Sequence, residues 1–141
     1  MAHDIRIKTK LGDLDKYLDE LESILPKKYE NYMKSIETKR ACEHLAHVSI
    51  ECVIDICAII VAELKLGPPA EEESIFDKLA EKHIMSNTLI KKLRMMKKFR
   101  NVLVHQYGNV DDKLVYKNLA NNLNDFYIFK KEVLKIIKKL K

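Results

Sequence analysis

From about Ser35 to Leu66 the chain runs in one helical pattern without a glycine or proline, apolar on nearly every side, and it closes on Gly67-Pro68-Pro69. Strands average only about 5–6 residues, so a stretch of this length is a helix. A helix that is apolar all round has no solvent face and must lie at the centre of the molecule. The rest of the chain therefore has to supply amphipathic helices that cover it. With only three Gly and three Pro in 141 residues, there are too few turn residues for a strand-and-turn architecture.

The covering helices are legible. Leu11, Leu14, Leu18, Leu21 and Leu25 recur at helical spacing among Asp13, Asp15, Asp19, Glu20 and Glu22, and Pro26 ends that run. A polar connector with Tyr29 and Tyr32 leads into the central helix. After the Gly-Pro stop, residues 71–77 read as a loop entering a short helix, with Ser74 and Asp77 spaced as a capping box. A fourth helix is predicted over Thr88–Tyr107, capped by Ser86 or Asn87 and closed by Gly108. A last one is predicted from Asp112 to Leu140, with Leu119, Leu123, Phe126, Val133 and Ile137 facing inward. The expected fold is all-α, an up-and-down bundle of four to five helices forming a single domain over residues 1–141.

Cys42, Cys52 and Cys57 all fall in the central helix, odd in number and without a Cys-x-x-Cys motif, so they read as core thiols of a reducing compartment. The N-terminus lacks the apolar run of a signal peptide. The most apolar stretch, Cys52 to Val61, carries Asp55 and reads as too short to span a bilayer. The expectation is a cytoplasmic protein with no membrane association.

Net charge is +5, and its distribution says more than its size. Between Ser86 and Val110 there is no Asp or Glu, while Lys91, Lys92, Arg94, Lys97, Lys98 and Arg100 all lie there. Helices without a functional demand mix signs, because opposite charges at i,i+4 attract and like charges repel. One sign along a helix suits a phosphate backbone, with Arg94, Lys97 and Lys98 as candidate RNA-binding residues. The plainer reading is a solvated lysine face.

On an ideal helix Leu89, Leu93, Met96, Leu103 and Tyr107 share one side, facing the bundle or a partner, and Arg100 falls among them. A guanidinium in apolar company must be paired, either to an internal carboxylate such as Asp55 or Glu51, or to a phosphate in a cleft. Asn101 and His105 are four apart on a second face. His105 sits in the final turn, where the helix dipole favours the imidazolium and fits it for acid–base work on a phosphodiester. Arg100 and His105 point about 140° apart, so a two-fold dimer that pairs two copies of this helix would complete the cleft. Met96 and Phe99 flank Arg100 at that expected interface.

His44, His47, Glu51 and Asp55 form a polar stripe on the central helix. Bundles build metal centres from such residues, but they need a second ligand set on a facing helix. The basic helix offers no carboxylate, so neither metal nor cofactor is expected. The stripe is read as lining the cleft, with Asp55 and Glu51 supporting Arg100 or His105.

The string Phe99-Arg100-Asn101-Val102-Leu103-Val104-His105-Gln106-Tyr107 resembles the signature of the HEPN superfamily, in its HepT type. Glu43-His44-Leu45 and Cys52-Val53-Ile54-Asp55-Ile56 resemble the family's central helix. The resemblance runs over nearly the whole chain and implies a metal-independent ribonuclease acting as a homodimer. It implies that His105 acts on a ribose 2′-hydroxyl that attacks its own phosphate, that Arg100 holds the phosphate, and that Asn101 belongs to the same catalytic motif. It further implies a toxin whose partner, a minimal nucleotidyltransferase antitoxin of the MntA kind, silences it by adding AMP to Tyr107. The alternative is a HEPN domain without catalysis that binds a nucleotide or a nucleotidyltransferase.

Overall fold

The computed structural model describes residues 2–68, 71–105 and 111–140. Among them seven helices follow one another: α1 (Ala2–Ile24), α2 (Tyr29–Lys34), α3 (Ile36–Glu63), α4 (Glu72–Glu81), α5 (Asn87–His105), α6 (Asp112–Asn122) and α7 (Asn124–Leu140). Among the described residues there is no strand. The all-α bundle is as expected, with more and shorter pieces than the sequence suggested.

The central helix is α3. Ile50, Val53, Ile56, Cys57, Ile60 and Val61 are all buried on it. The helix is in fact long and apolar enough to cross a membrane by composition, unlike the shorter Cys52–Val61 reading, but its apolar window is mostly buried inside the fold. α1 lies along it and buries Ile7, Leu11, Leu14, Leu18 and Leu21. It starts at Ala2 rather than near Leu11, because Asp4 and Ile7 continue the same inward spacing through a polar-looking segment. Ile75, Phe76 and Leu79 of α4, Leu89 and Leu93 of α5, and Phe129 and Val133 of α7 complete the main core.

A second cluster packs Leu21, Tyr32, Cys42, Leu45, Ala46, Val115 and Leu119 beneath α2 and α6. The Tyr116 hydroxyl donates to the Pro26 carbonyl at 2.6 Å and pins α6 over the turn that ends α1. All three cysteines are buried and free. Burial, the largest cause, raises the Cys42 thiol to about 11 and also pushes up those of Cys52 and Cys57.

Helix ends explain the remaining differences. Ser35 caps α3 by accepting from the Thr38 N–H at 3.1 Å. At the other end Lys65, with φ of 55°, makes the left-handed turn, and the Leu66 N–H reaches back to the Val61 carbonyl at 3.0 Å. This is a Schellman ending, so the helix stops ahead of Gly67-Pro68. His83, with φ of 54°, ends α4 in the same way. The N-cap of α4 is Glu71 rather than Ser74, whose Oγ instead accepts from the Glu71 N–H at 3.3 Å. Ser86 caps α5, accepting from the Leu89 N–H at 3.2 Å, while Glu132 of α7 accepts from both its N–H and its hydroxyl. The expected single helix over 112–140 is broken at Leu123. Asn121, Asn122 and Asn124 surround the break, and asparagine side chains compete for backbone hydrogen bonds.

Candidate active site on the basic helix

α5 packs between α3 and the flanking helices α4 and α7. Leu89, Leu93 and Met96 turn into the protein's own core, and this settles the open choice between bundle and partner for those three. Phe99 packs half-buried against both clusters, leaving Met95 as the exposed apolar residue of that helix at 58%.

Arg100 continues the inward stripe and is held by carboxylates. Its side chain is 11% exposed. Nη1 donates to Glu51 Oε1 at 2.6 Å and to Glu72 Oε2 at 3.2 Å, and Nη2 donates to Glu72 Oε1. Nε donates to Asn101 Oδ1 at 3.0 Å, so the two adjacent motif residues are bonded to each other. The hydrogen bond to Glu72 is the chief cause that raises the Arg100 pKa, and the bond from Arg100 is the chief cause that lowers that of Glu72. Glu51 also stands 3.5 Å from His47 Nε2, one helical turn earlier.

Of the two acidic residues expected to support the cleft, Glu51 is at Arg100 and Asp55 is not. Asp55 pairs with Lys10 of α1 at 3.3 Å and is 52% exposed. A residue one turn further along α3 meets α1 rather than α5. The polar stripe is thereby divided among different partners, and no three His, Cys, Asp or Glu side chains converge as metal ligands among the described residues.

The one-signed charge of α5 is balanced across space. Arg94 donates from Nε to Glu73 Oε1 at 2.8 Å and from Nη2 to Asp77 Oδ1 at 2.6 Å. Lys97 donates to Glu73 Oε2 at 3.0 Å, and Lys92 to Asp125 of α7 at 2.7 Å. The acidic start of α4 thus faces the basic helix, a pairing that i,i+4 reasoning within one helix does not reveal. Glu72 is the site residue that the sequence reading did not single out. Its signal was an acidic run of three beside a helix of six cations. Lys91 and Lys98 remain exposed and form no ion pair among the described residues.

His105 is the last residue of α5 and is exposed. Tyr107 and Gly108 lie outside the described residues.

A family model described as Ribonuclease HepT-like matches residues 14–133, spanning α1 to α7 and all of the site. The chain belongs to the HepT-like ribonuclease family. It is 26% identical over 127 residues to the tRNA nuclease HepT of Aphanizomenon flos-aquae, covering 90% of this chain and 86% of that protein. To the mRNA nuclease HepT of Shewanella oneidensis it is 30% identical over 79 residues, covering 56% and 59%. The tri-AMPylated Shewanella oneidensis HEPN toxin, solved in complex with its MNT antitoxin, superposes with a TM-score of 0.82 at 21% identity. That match covers 94% of this chain and 96% of the toxin. YutE of Bacillus subtilis, solved as a cytosolic protein of unknown function, has the same HepT-like fold with a TM-score of 0.79, 19% identity and coverage of 95% and 90%.

Proposed function

We propose that this chain is a metal-independent RNA endonuclease, the toxin of a toxin–antitoxin pair, working as a homodimer in the cytoplasm. The observation that carries the proposal is the joining of Arg100 to Asn101 near the C-terminal end of α5, one turn before an exposed His105. The relatives' activities on tRNA and mRNA support RNA as the substrate class. Arg100 would hold the scissile phosphate, guanidinium being the donor that best matches phosphate oxygens. His105 would take the proton of the ribose 2′-hydroxyl. The 2′-oxygen bonds to phosphorus, the bond to the 5′-oxygen breaks, and that oxygen leaves with a proton from an acid. The products are a 2′,3′-cyclic phosphate and a 5′-hydroxyl. The second copy of His105 in a two-fold dimer would supply the acid.

Among the three cations first considered for the RNA backbone, Arg94 and Lys97 are engaged by α4, and Lys98 is open. Lys91 joins it as a second cation of α5 with no ion pair among the described residues. Together they give the RNA a path along the outer side of the helix toward His105.

Control would come from a minimal nucleotidyltransferase antitoxin that adds AMP to Tyr107, as the AMPylated state of the Shewanella toxin suggests. The added phosphate and adenosine would lie two residues from His105, and both their bulk and their charge oppose RNA.

The experiment is cleavage of total RNA by the purified protein, by His105→Ala and by Arg100→Ala, each with and without EDTA. Cleavage by the wild type alone, unaffected by EDTA, is the expected result. Equal cleavage by all three proteins would overturn the assignment. A non-catalytic binding role has one observation in its favour, the engagement of Arg100 by two glutamates. RNA that is bound and left intact by the wild type would decide for it.

A further inference from the structure

Arg100 cannot grip a phosphate with two parallel hydrogen bonds while it keeps the partners it has. A guanidinium carries five N–H groups. Four are in use, one toward Asn101, one toward Glu51 and two toward Glu72. Binding phosphate through two parallel hydrogen bonds needs two N–H groups on one edge. Only one remains, so a partner must leave.

The three partners differ in how readily they leave. Asn101 is the neighbouring residue on the same helix and accepts through a neutral amide oxygen, so it brings no charge to compete with a phosphate. Glu51 lies on α3, the central helix, with a side chain 40% exposed, and gives Arg100 a single oxygen. Glu72 lies in the first turn of α4, a helix of ten residues, with a side chain about as exposed as that of Glu51, at 37%. It also presents both carboxylate oxygens to Arg100, the arrangement a phosphate would adopt.

Resting on the reading of Arg100 as the phosphate-binding residue, we propose that Glu72 is an internal competitor for the substrate phosphate. It occupies Arg100 in the RNA-free protein and yields it when RNA binds. The neighbouring carboxylates act differently. Glu73 and Asp77 neutralise Arg94 and Lys97, which need not be released, and so they keep RNA off that flank. Glu51 stays on Arg100 throughout and orients it. The consequence is selectivity by strength. A weak anion does not displace a bidentate carboxylate, whereas one phosphodiester of a strand held at several other points does.

The test is a titration of wild type and Glu72→Gln with two probes, a 2′-O-methyl RNA oligonucleotide that cannot be cleaved and inorganic pyrophosphate. The amide keeps the size of the side chain and removes the competing charge. Affinity for both probes should rise about two- to fivefold, the range set by a partly exposed ion pair. The rise should vanish when Arg100→Ala is added. Glu73→Gln serves as the charge-matched control and should give less than half that gain. In cleavage assays KM should fall with kcat unchanged. The proposal is overturned if Glu72→Gln binds both probes as the wild type does or more weakly, or if the gain survives loss of Arg100. It is also overturned if kcat falls with KM unchanged, the mark of a residue that merely positions Arg100. Should Glu72→Gln fold poorly by circular dichroism, Glu72→Asp, which shortens the reach, is expected to give a smaller gain of the same sign. Pyrophosphate reports on Arg100 without any RNA. A gain there together with no cleavage of RNA by the wild type would leave the competitor standing and sink the ribonuclease reading instead.

Discussion

Lys98 and His105 stand two turns apart on α5, seven residues, and so project within about 20° of the same direction. Lys91, seven residues earlier, continues that line. This outward stripe therefore carries the motif histidine together with two lysines that have no ion pair among the described residues. Lys91→Glu and Lys98→Glu should each raise KM for RNA and lower the salt dependence of binding. Each phosphate that a cation neutralises on a single strand adds about 0.7 to the log–log slope, so removing one lysine should lower the slope by about that amount. Arg94→Gln, on the flank that α4 already neutralises, should change that slope much less. Binding isotherms over a series of KCl concentrations measure both.

Substitution of the motif should separate chemistry from folding. His105 is exposed at a helix end, so His105→Ala leaves the core packing intact. The cleavage rate should drop by about 10²–10⁴-fold, with the thermal midpoint unchanged. Arg100→Ala should also abolish cleavage but lower the midpoint, because Glu51 and Glu72 lose their partner while half-buried. Differential scanning fluorimetry beside the activity assay distinguishes the two behaviours.

The pair between Glu72 and Arg100 carries a pH signature. Glu72 is held below its ordinary value of 4.5, chiefly by the hydrogen bond from Arg100. A carboxylate whose folded pKa is depressed stabilises the fold above its unfolded pKa, and that stabilisation is lost as pH falls through the folded value. Wild type should therefore lose stability below about pH 4.5, and Glu72→Gln should lose less over the same window. At neutral pH the wild type should be the more stable of the two. Urea unfolding at pH 7 and pH 3.5 reads the difference. An equal loss in both proteins would mean that other carboxylates govern the acid limb.

Tyr107→Phe keeps the ring and removes the acceptor oxygen. The variant should cleave RNA as the wild type does and should not be silenced by a cognate nucleotidyltransferase with ATP. Mass spectrometry should find the added AMP on Tyr107 in the wild type. Its appearance on Tyr116 or Tyr127 instead would defeat the assignment. Both hydroxyls are engaged, that of Tyr116 by the Pro26 carbonyl and that of Tyr127 by Glu22, and Tyr116 is the more buried of the two.

Leu14→Ala tests the packing on which the site rests. Leu14 is fully buried where α1 lies along α3. Removing its side chain should cost about 2–5 kcal/mol, from lost transfer and the cavity left behind. Chemical denaturation should show a lower midpoint with an unchanged slope.

Much of this protein follows from its sequence alone. An apolar run with no glycine or proline from Ser35 to Leu66 can only be a buried helix, and leucines at helical spacing in α1 can only cover it, because both follow from local periodicity. The motif from Phe99 to Tyr107 was likewise legible, since its residues are neighbours in the chain. Helix ends were read less well. Schellman turns at Lys65 and His83 and the break at Leu123 depend on hydrogen bonds that residue type signals only weakly. The partners of the motif belonged to the tertiary structure. Glu51 and Asp55 are one turn apart and looked equivalent, yet packing sends one to Arg100 and the other to Lys10. The basic helix looked uncompensated because its counter-charges are 17–33 residues away in sequence, on α4 and α7. Periodicity reports which side of a helix a residue is on. Only the packing of one helix against another decides what it meets there.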